Sequence, residues 1–245
     1  IKAVLFDMDD TLLDINLTAF MALYAADMSR ILSEISGESP LVLAAALGRC
    51  YLAMADPKRT DGLTNFQVYA REFRRITGVP VDEPHTRVAL RFYERELLPR
   101  RGSGIVAARP MPGGREAVEM VCKLGLRTAL ATNPSFSGPC IHTRMKWANI
   151  SDLPFERVSH MCNSTRLKPS ARYYAEFTSA LGLHPDECLM VGNDARRDFP
   201  RPDIGMRTIY VGHARPSKAI WSGRMSELAS ELPAIVDRCN VEDAR

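Results

Sequence analysis

Ile1-Lys2-Ala3-Val4-Leu5-Phe6-Asp7-Met8-Asp9-Asp10-Thr11-Leu12 is the stretch that decides the fold. An apolar run, Ala3–Phe6, breaks abruptly into Asp-x-Asp-Asp-Thr. Val4-Leu5-Phe6 is apolar on both faces, which suits a strand inside a parallel sheet covered on two sides. Three carboxylates at the end of such a strand repel one another and resist burial unless a cation or a proton offsets them. A metal-assisted site is therefore the leading explanation. Two carboxylates two residues apart can also divide labour, one attacking and the other moving protons.

From about residue 15 the pattern turns helical. The apolar spacing predicts helices over Leu17–Ile35, Leu41–Ala55, Asn65–Thr77 and Thr86–Leu98, separated by Gly37, Ser39 and Pro40, by Asp56-Pro57 and Asp61-Gly62, and by Gly78-Val79-Pro80. Pro99, Gly102, Gly104, Pro110, Pro112, Gly113 and Gly114 then punctuate the chain. After them strands and helices alternate. Helices are expected at Arg115–Leu124, Ile141–Ala148, Ser170–Leu181 and Ser226–Val236, with a short one within Asp198–Gly205. Strands are expected at Arg127–Thr132, Arg157–His160, Leu189–Val191 and Thr208–Val211, and Asn240–Arg245 reads as a frayed tail. Such alternation implies a parallel sheet with right-handed crossovers, which the first strand must join. The expected fold is α/β: a Rossmann-like parallel-sheet core of residues 1–14 and 108–245, interrupted by an all-α insert over 15–107.

Open parallel sheets carry their sites at the carboxyl ends of the strands. Asp7 and Asp9 already sit there. Thr132-Asn133-Pro134 and Gly192-Asn193-Asp194, with Asp198 four residues on, end two further expected strands, and Lys168-Pro169 precedes a helix. Two acids, a hydroxyl, a lysine and a further acidic group suit phosphoryl transfer, which needs positioning and charge neutralisation above all.

These four segments, in this order, resemble the four motifs of the haloacid dehalogenase superfamily, and the helical insert resembles that family's C1-type cap. The resemblance covers about 1–14 and 108–215. It implies a phosphatase in which Asp7 forms an aspartyl-phosphate and Asp9 serves as general acid and base. It also implies that Thr132 and Asn133 hold the phosphoryl oxygens while Lys168 neutralises charge. Mg²⁺ would take Asp7, the Asp9 carbonyl and an acid of the fourth motif. There the chain departs from the pattern: Asn193 stands where the family commonly has Asp, and Asp194 follows. Asp194 is therefore the expected direct ligand, with Asn193 a neutral alternative and Asp198 acting through water or Lys168. The substrate implied is a small phosphorylated metabolite. A phosphomutase on a sugar phosphate and a catalytically retired binding protein of the same fold are the alternatives.

The remaining features are bland. A net charge of +3 gives no nucleic-acid or membrane reading, and the longest apolar run noted, Leu41–Leu47, is far short of a membrane span. Strand-like residues rather than a leader open the chain, and its six cysteines are scattered, so a cytoplasmic protein with reduced thiols is expected, as monomer or homodimer. None of the five histidines has metal-ligand spacing. The arginines crowding residues 71–109 read as a solvated helix face, with Arg100 or Arg101 as a conceivable attractor of anions near the hinge. Lys58, Arg59 and Asn65 surround a loop of the insert able to reach the core.

Overall fold

The computed structural model describes residues 1–243. Its centre is a six-stranded parallel sheet. In chain order the strands are β1 (Ala3–Phe6), β4 (Arg127–Leu130), β5 (Phe155–Val158), β6 (Cys188–Gly192), β7 (Arg207–Val211) and β8 (Ala219–Gly223). Their spatial order is β5-β4-β1-β6-β7-β8. β1 lies centrally, with Phe6 opposite Leu130 on one side and Val191 on the other. All four of its residues are buried, as a strand covered on both faces requires.

A separate two-stranded ribbon pairs β2 (Leu13–Asp14) with β3 (Arg109–Pro110), antiparallel. It joins the two chain segments that flank the helical insert, and Arg109 Nε reaches Asp14 Oδ2 at 2.7 Å. The insert contains α1 (Leu17–Ser36), α2 (Pro40–Ala55), α3 (Asn65–Thr77) and α4 (Pro84–Phe92). Thr64 and Gln67 form a reciprocal capping box that fixes where α3 begins. Around the sheet lie α5 (Gly114–Lys123), α6 (Gly138–Trp147), α7 (Ala171–Ser179) and α8 (Met225–Asp243), with α5 packed on α8. Leu32, Leu43, Val68 and Phe73 centre the apolar core of the insert, which also takes in Met161 and Leu167 from beyond it. No helix among the described residues is long and apolar enough to cross a membrane.

Several expectations need correction. The helix expected to run to Leu98 stops at Phe92 and continues as a π-turn, Tyr93–Leu97, and a 3₁₀ turn, Leu98–Arg101. Pro99 has no amide hydrogen to continue an α-helical ladder, and Glu94 spends its carbonyl on the Thr143 hydroxyl at 2.9 Å. No helix forms within Asp198–Gly205; turns there let Arg201 exchange backbone hydrogen bonds with Pro169 and Ala171. Strand β5 lies two residues earlier than expected, and β8 was not anticipated. Nor is the tail frayed from Asn240: α8 continues to Asp243, and the Ile1 amine donates to Asn240 Oδ1 at 2.5 Å. Residues 244–245 of that expected tail lie outside the described residues.

Candidate active site

The backbone ladder runs past the end of β1. Asp7 donates its amide to the Val191 carbonyl at 2.9 Å, so its side chain starts from a fixed base between β4 and β6. The Asp7 carboxylate is buried. Lys168 Nζ donates to Asp7 Oδ1 at 2.7 Å and to Asp198 Oδ1 at 2.8 Å, so a buried ammonium bridges two carboxylates from opposite ends of the chain. Asp198 comes this close because β6 ends in glycine. A Cβ on Gly192 would lie 2.2 Å from Asp198 Oδ2. The same oxygen accepts the Asp194 amide at 2.9 Å.

Burial is the main force on Asp7. Desolvation pushes its carboxyl up to about 7; Lys168 opposes the rise, and Asp198 and Asp9 add to it. Burial also opposes the charge on Lys168, but the paired carboxylates of Asp198 and Asp7 outweigh it and hold the ammonium charged. The two shifts are consistent with one buried lysine shared between two acids.

Thr11 links the first and fourth segments. Its hydroxyl lies 3.4 Å from Asp7 Oδ2 and 3.2 Å from Asn193 Oδ1, which brings these two oxygens to one small volume. Asp194 is placed differently. Its Oδ1 accepts the Arg196 amide at 2.8 Å, its Oδ2 lies 3.7 Å from Arg197 Nε, and its side chain is 41% exposed. The structure thus brings Asn193, and not Asp194, to the Thr11 hydroxyl beside Asp7. Of the two acids after β6, Asp198 is the one that pairs with Lys168.

The loop after β4 supplies Thr132 and Asn133. Thr132 is buried, and its carbonyl accepts from Ser159 Oγ at 2.6 Å and from the Tyr173 hydroxyl at 3.0 Å. Asn133 Oδ1 accepts the Lys168 amide at 3.3 Å, tying the second segment to the third. Asp9 Oδ1 forms an ion pair with Arg144 of α6. Asp10 has a left-handed backbone, φ 54°, as residues in turns do.

The insert closes over this edge. Asn65 is fully buried; its side-chain amide donates to the Pro134 and Arg166 carbonyls, both at 3.2 Å. Arg166 reaches back to the carbonyls of Arg59 at 2.6 Å and Asp61 at 2.9 Å. Between insert and core lies a cavity of about 370 Å³, walled by Tyr24, Tyr51, Phe66 and the 135–139 loop. The carboxylates of the site are not in its wall; that loop is the part of the site that borders it. Arg101 is paired with Asp27, which accepts from its guanidinium at 3.0 and 3.1 Å.

Sequence reasoning passed over Arg144, Thr11, Ser159 and Tyr173. The signal for Arg144 was a charge inside the apolar stripe Ile141, Met145, Ala148 of α6; Ser159 and Tyr173 gave none.

Among the described residues no group of three or more His, Cys, Asp or Glu side chains is placed to hold a metal. The donors on hand are oxygens of different kinds: the Asp7 carboxylate, the Asn193 amide carbonyl and nearby backbone carbonyls. Such a set, beside a lysine shared between two acids, fits a hard, partly hydrated cation such as Mg²⁺.

A parallel sheet with buried acids at its carboxyl edge, spanned by a helical insert after the first strand, defines a class of α/β hydrolases. Residues 1–200 match the haloacid dehalogenase-like hydrolase family, and the chain belongs to it. It is 28% identical to the N-acetylmuramic acid 6-phosphate phosphatase of Pseudomonas aeruginosa, over 97% of this chain and 96% of that one. Among solved structures it resembles a HAD phosphatase from Thermococcus onnurineus, with a TM-score of 0.56 at 20% identity, covering 96% of this chain and 98% of the other. It also resembles the L-2-haloacid dehalogenase of Xanthobacter autotrophicus, with a TM-score of 0.51 at 15% identity, covering 95% and 98%. Phosphatases and dehalogenases share the fold, so the fold alone does not choose the reaction.

Proposed function

We propose that the protein is a Mg²⁺-dependent phosphomonoester hydrolase acting on a small phosphorylated metabolite. One observation carries the reading: a buried carboxylate, Asp7, is clamped by Lys168, and a second, Asp9, follows two residues later with one oxygen left over. A halide leaves without a proton and an alkoxide does not, so a second acid favours ester cleavage over dehalogenation.

In the first step an Asp7 oxygen attacks phosphorus and the bond to the leaving oxygen breaks. Asp9 gives that oxygen its proton, so an alcohol leaves and an aspartyl-phosphate remains. In the second step Asp9 takes a proton from water, the water oxygen attacks phosphorus, and Asp7 is regenerated with release of phosphate. Thr132 and Asn133 hold the phosphoryl oxygens. Lys168 orients Asp7 and offsets the charge that gathers on the transferred group. Asp7, Asn193 and the Asp9 carbonyl would hold the metal, with Asp194 and Asp198 behind them. When bound, Mg²⁺ supplies neutralising charge to the carboxylate and the phosphoryl group.

Residues 15–107 serve as the cap, and 1–14 with the chain from 108 form the core. The cavity between them is of metabolite size. The relative from Pseudomonas aeruginosa makes N-acetylmuramic acid 6-phosphate the first substrate to test. A panel containing it, other sugar phosphates and p-nitrophenyl phosphate, with Mg²⁺, should show phosphate release by the wild type and none by Asp7→Asn. Equal release by both would refute the reading.

A further inference from the structure

Arg144 stands among the largest fully buried side chains of the molecule. Its guanidinium carbon lies 4.9 Å from the Phe20 ring centroid and 5.1 Å from that of Phe136. Its Nε is buried and has no hydrogen-bond partner among the described residues. Its Nη2 contacts Asp9 Oδ1. Burying a guanidinium is costly unless it is paired, and two aromatic faces recover only part of that. The carboxylate it meets is the one this site needs most accurately placed.

No other side-chain hydrogen bond to Asp9 is found among the described residues. A short carboxylate at a loop position has several rotamers open to it unless something selects one. Arg144 takes Oδ1 and leaves Oδ2 for the reacting groups. Arg144 is itself held on both sides: Phe20 belongs to α1 of the insert, and Phe136 to the loop that carries Thr132 and Asn133. The Arg144 side chain is only 1% exposed to solvent, so it acts on the site through Asp9.

We propose that Arg144 is the positioning residue for Asp9, fixing the carboxylate so that its free oxygen meets the leaving oxygen and later the attacking water. The proposal rests on the acid/base reading of Asp9 given above. It predicts a dependence on the leaving group that a purely structural arginine would not produce. An alkoxide needs a proton to depart; p-nitrophenolate hardly does.

The test compares kcat/KM on p-nitrophenyl phosphate with kcat/KM on the alkyl phosphate that the wild type turns over fastest. Arg144→Gln should lower the alkyl value at least tenfold more than the aryl value. Arg144→Lys, which keeps the charge, should recover part of the difference. Asp9→Asn should show the same selective loss, and Arg144→Gln should add nothing on top of it. A variant that folds poorly lowers both activities together, so the ratio still reports positioning. Equal losses on both substrates, or losses that multiply with those of Asp9→Asn, would overturn the proposal. If Asp9→Asn itself leaves the ratio unchanged, the acid/base reading fails instead.

Discussion

Asp7 is an acid under tension between burial and one shared lysine. Its carboxyl is held up at about 7, against about 4 for an aspartate in an unfolded chain. The folded protein therefore binds a proton that the unfolded chain has already lost, and between pH 4 and 7 this group makes stability fall as pH rises. A cation that needs the ionised form must displace that proton. Accordingly, the metal-free protein should lose thermal stability between pH 5 and 8, and the rise in Tm on adding Mg²⁺ should be larger at pH 8 than at pH 6. Asp7→Asn should abolish most of both effects. A Mg²⁺ response independent of pH would place the cation away from Asp7. Lys168 matters for the complementary reason. In Lys168→Met, Asp7 and Asp198 lose the cation they share, and breaking such a buried pair typically costs about 3–5 kcal/mol. Urea unfolding without metal should show a loss of that order, and activity should vanish even where the fold survives.

Strand ends place these residues, and their legibility in the sequence followed the same logic. β1, β4 and β6 were readable because continuous apolar runs halt at polar residues, and each halt proved to be at the sheet's carboxyl edge. β8 was not, since Ser222 and Gly223 cut its apolar run to three residues and the 212–218 link is too short to suggest a parallel crossover. The choice between Asn193 and Asp194 was also closed to sequence reasoning. Both follow the same strand, and what separates them is contact with distant or non-adjacent groups: the Thr11 hydroxyl, 182 positions away, for Asn193, and the Arg196 amide for Asp194. Gly192 is the element-scale device that a motif records without explaining. It has no side chain because Asp198 occupies that space, pinned by Lys168 and by the Asp194 amide. Gly192→Ala should therefore destabilise the protein by about 1–3 kcal/mol, as overpacking does, and lower kcat by displacing Asp198 from Lys168. Chemical denaturation together with steady-state kinetics checks both; an unchanged kcat would mean that the Asp198 contact is dispensable.

At the scale of the whole molecule, the insert and the sheet are joined where the chemistry is. Asn65 passes down from the start of α3 to the Pro134 and Arg166 carbonyls, one residue beyond Asn133 and two before Lys168. Arg166 passes up to the 59–61 loop, and Arg59 returns to Asn65 Oδ1 at 3.1 Å. The backbone closes the seam: the amides of Asn65 and Phe66 donate to the Ser164 and Met161 carbonyls, both at 2.8 Å. Any parting of insert and sheet is an event that would break these bonds and loosen the two loops that carry Asn133 and Lys168. Asn65→Asp isolates that event. The carboxylate keeps the shape and still accepts from Arg59, but it cannot donate, and two buried carbonyls lose their partner at a cost of about 1–3 kcal/mol. If the seam opens locally, protection of the amides at 65 and 66 against hydrogen exchange should fall about tenfold or more, while β1 and β6 keep theirs. The kcat/KM should fall with it, because the closed arrangement forms less often. Loss of protection at β1 in step with residue 66 would show instead that the cap and the sheet unfold as one unit.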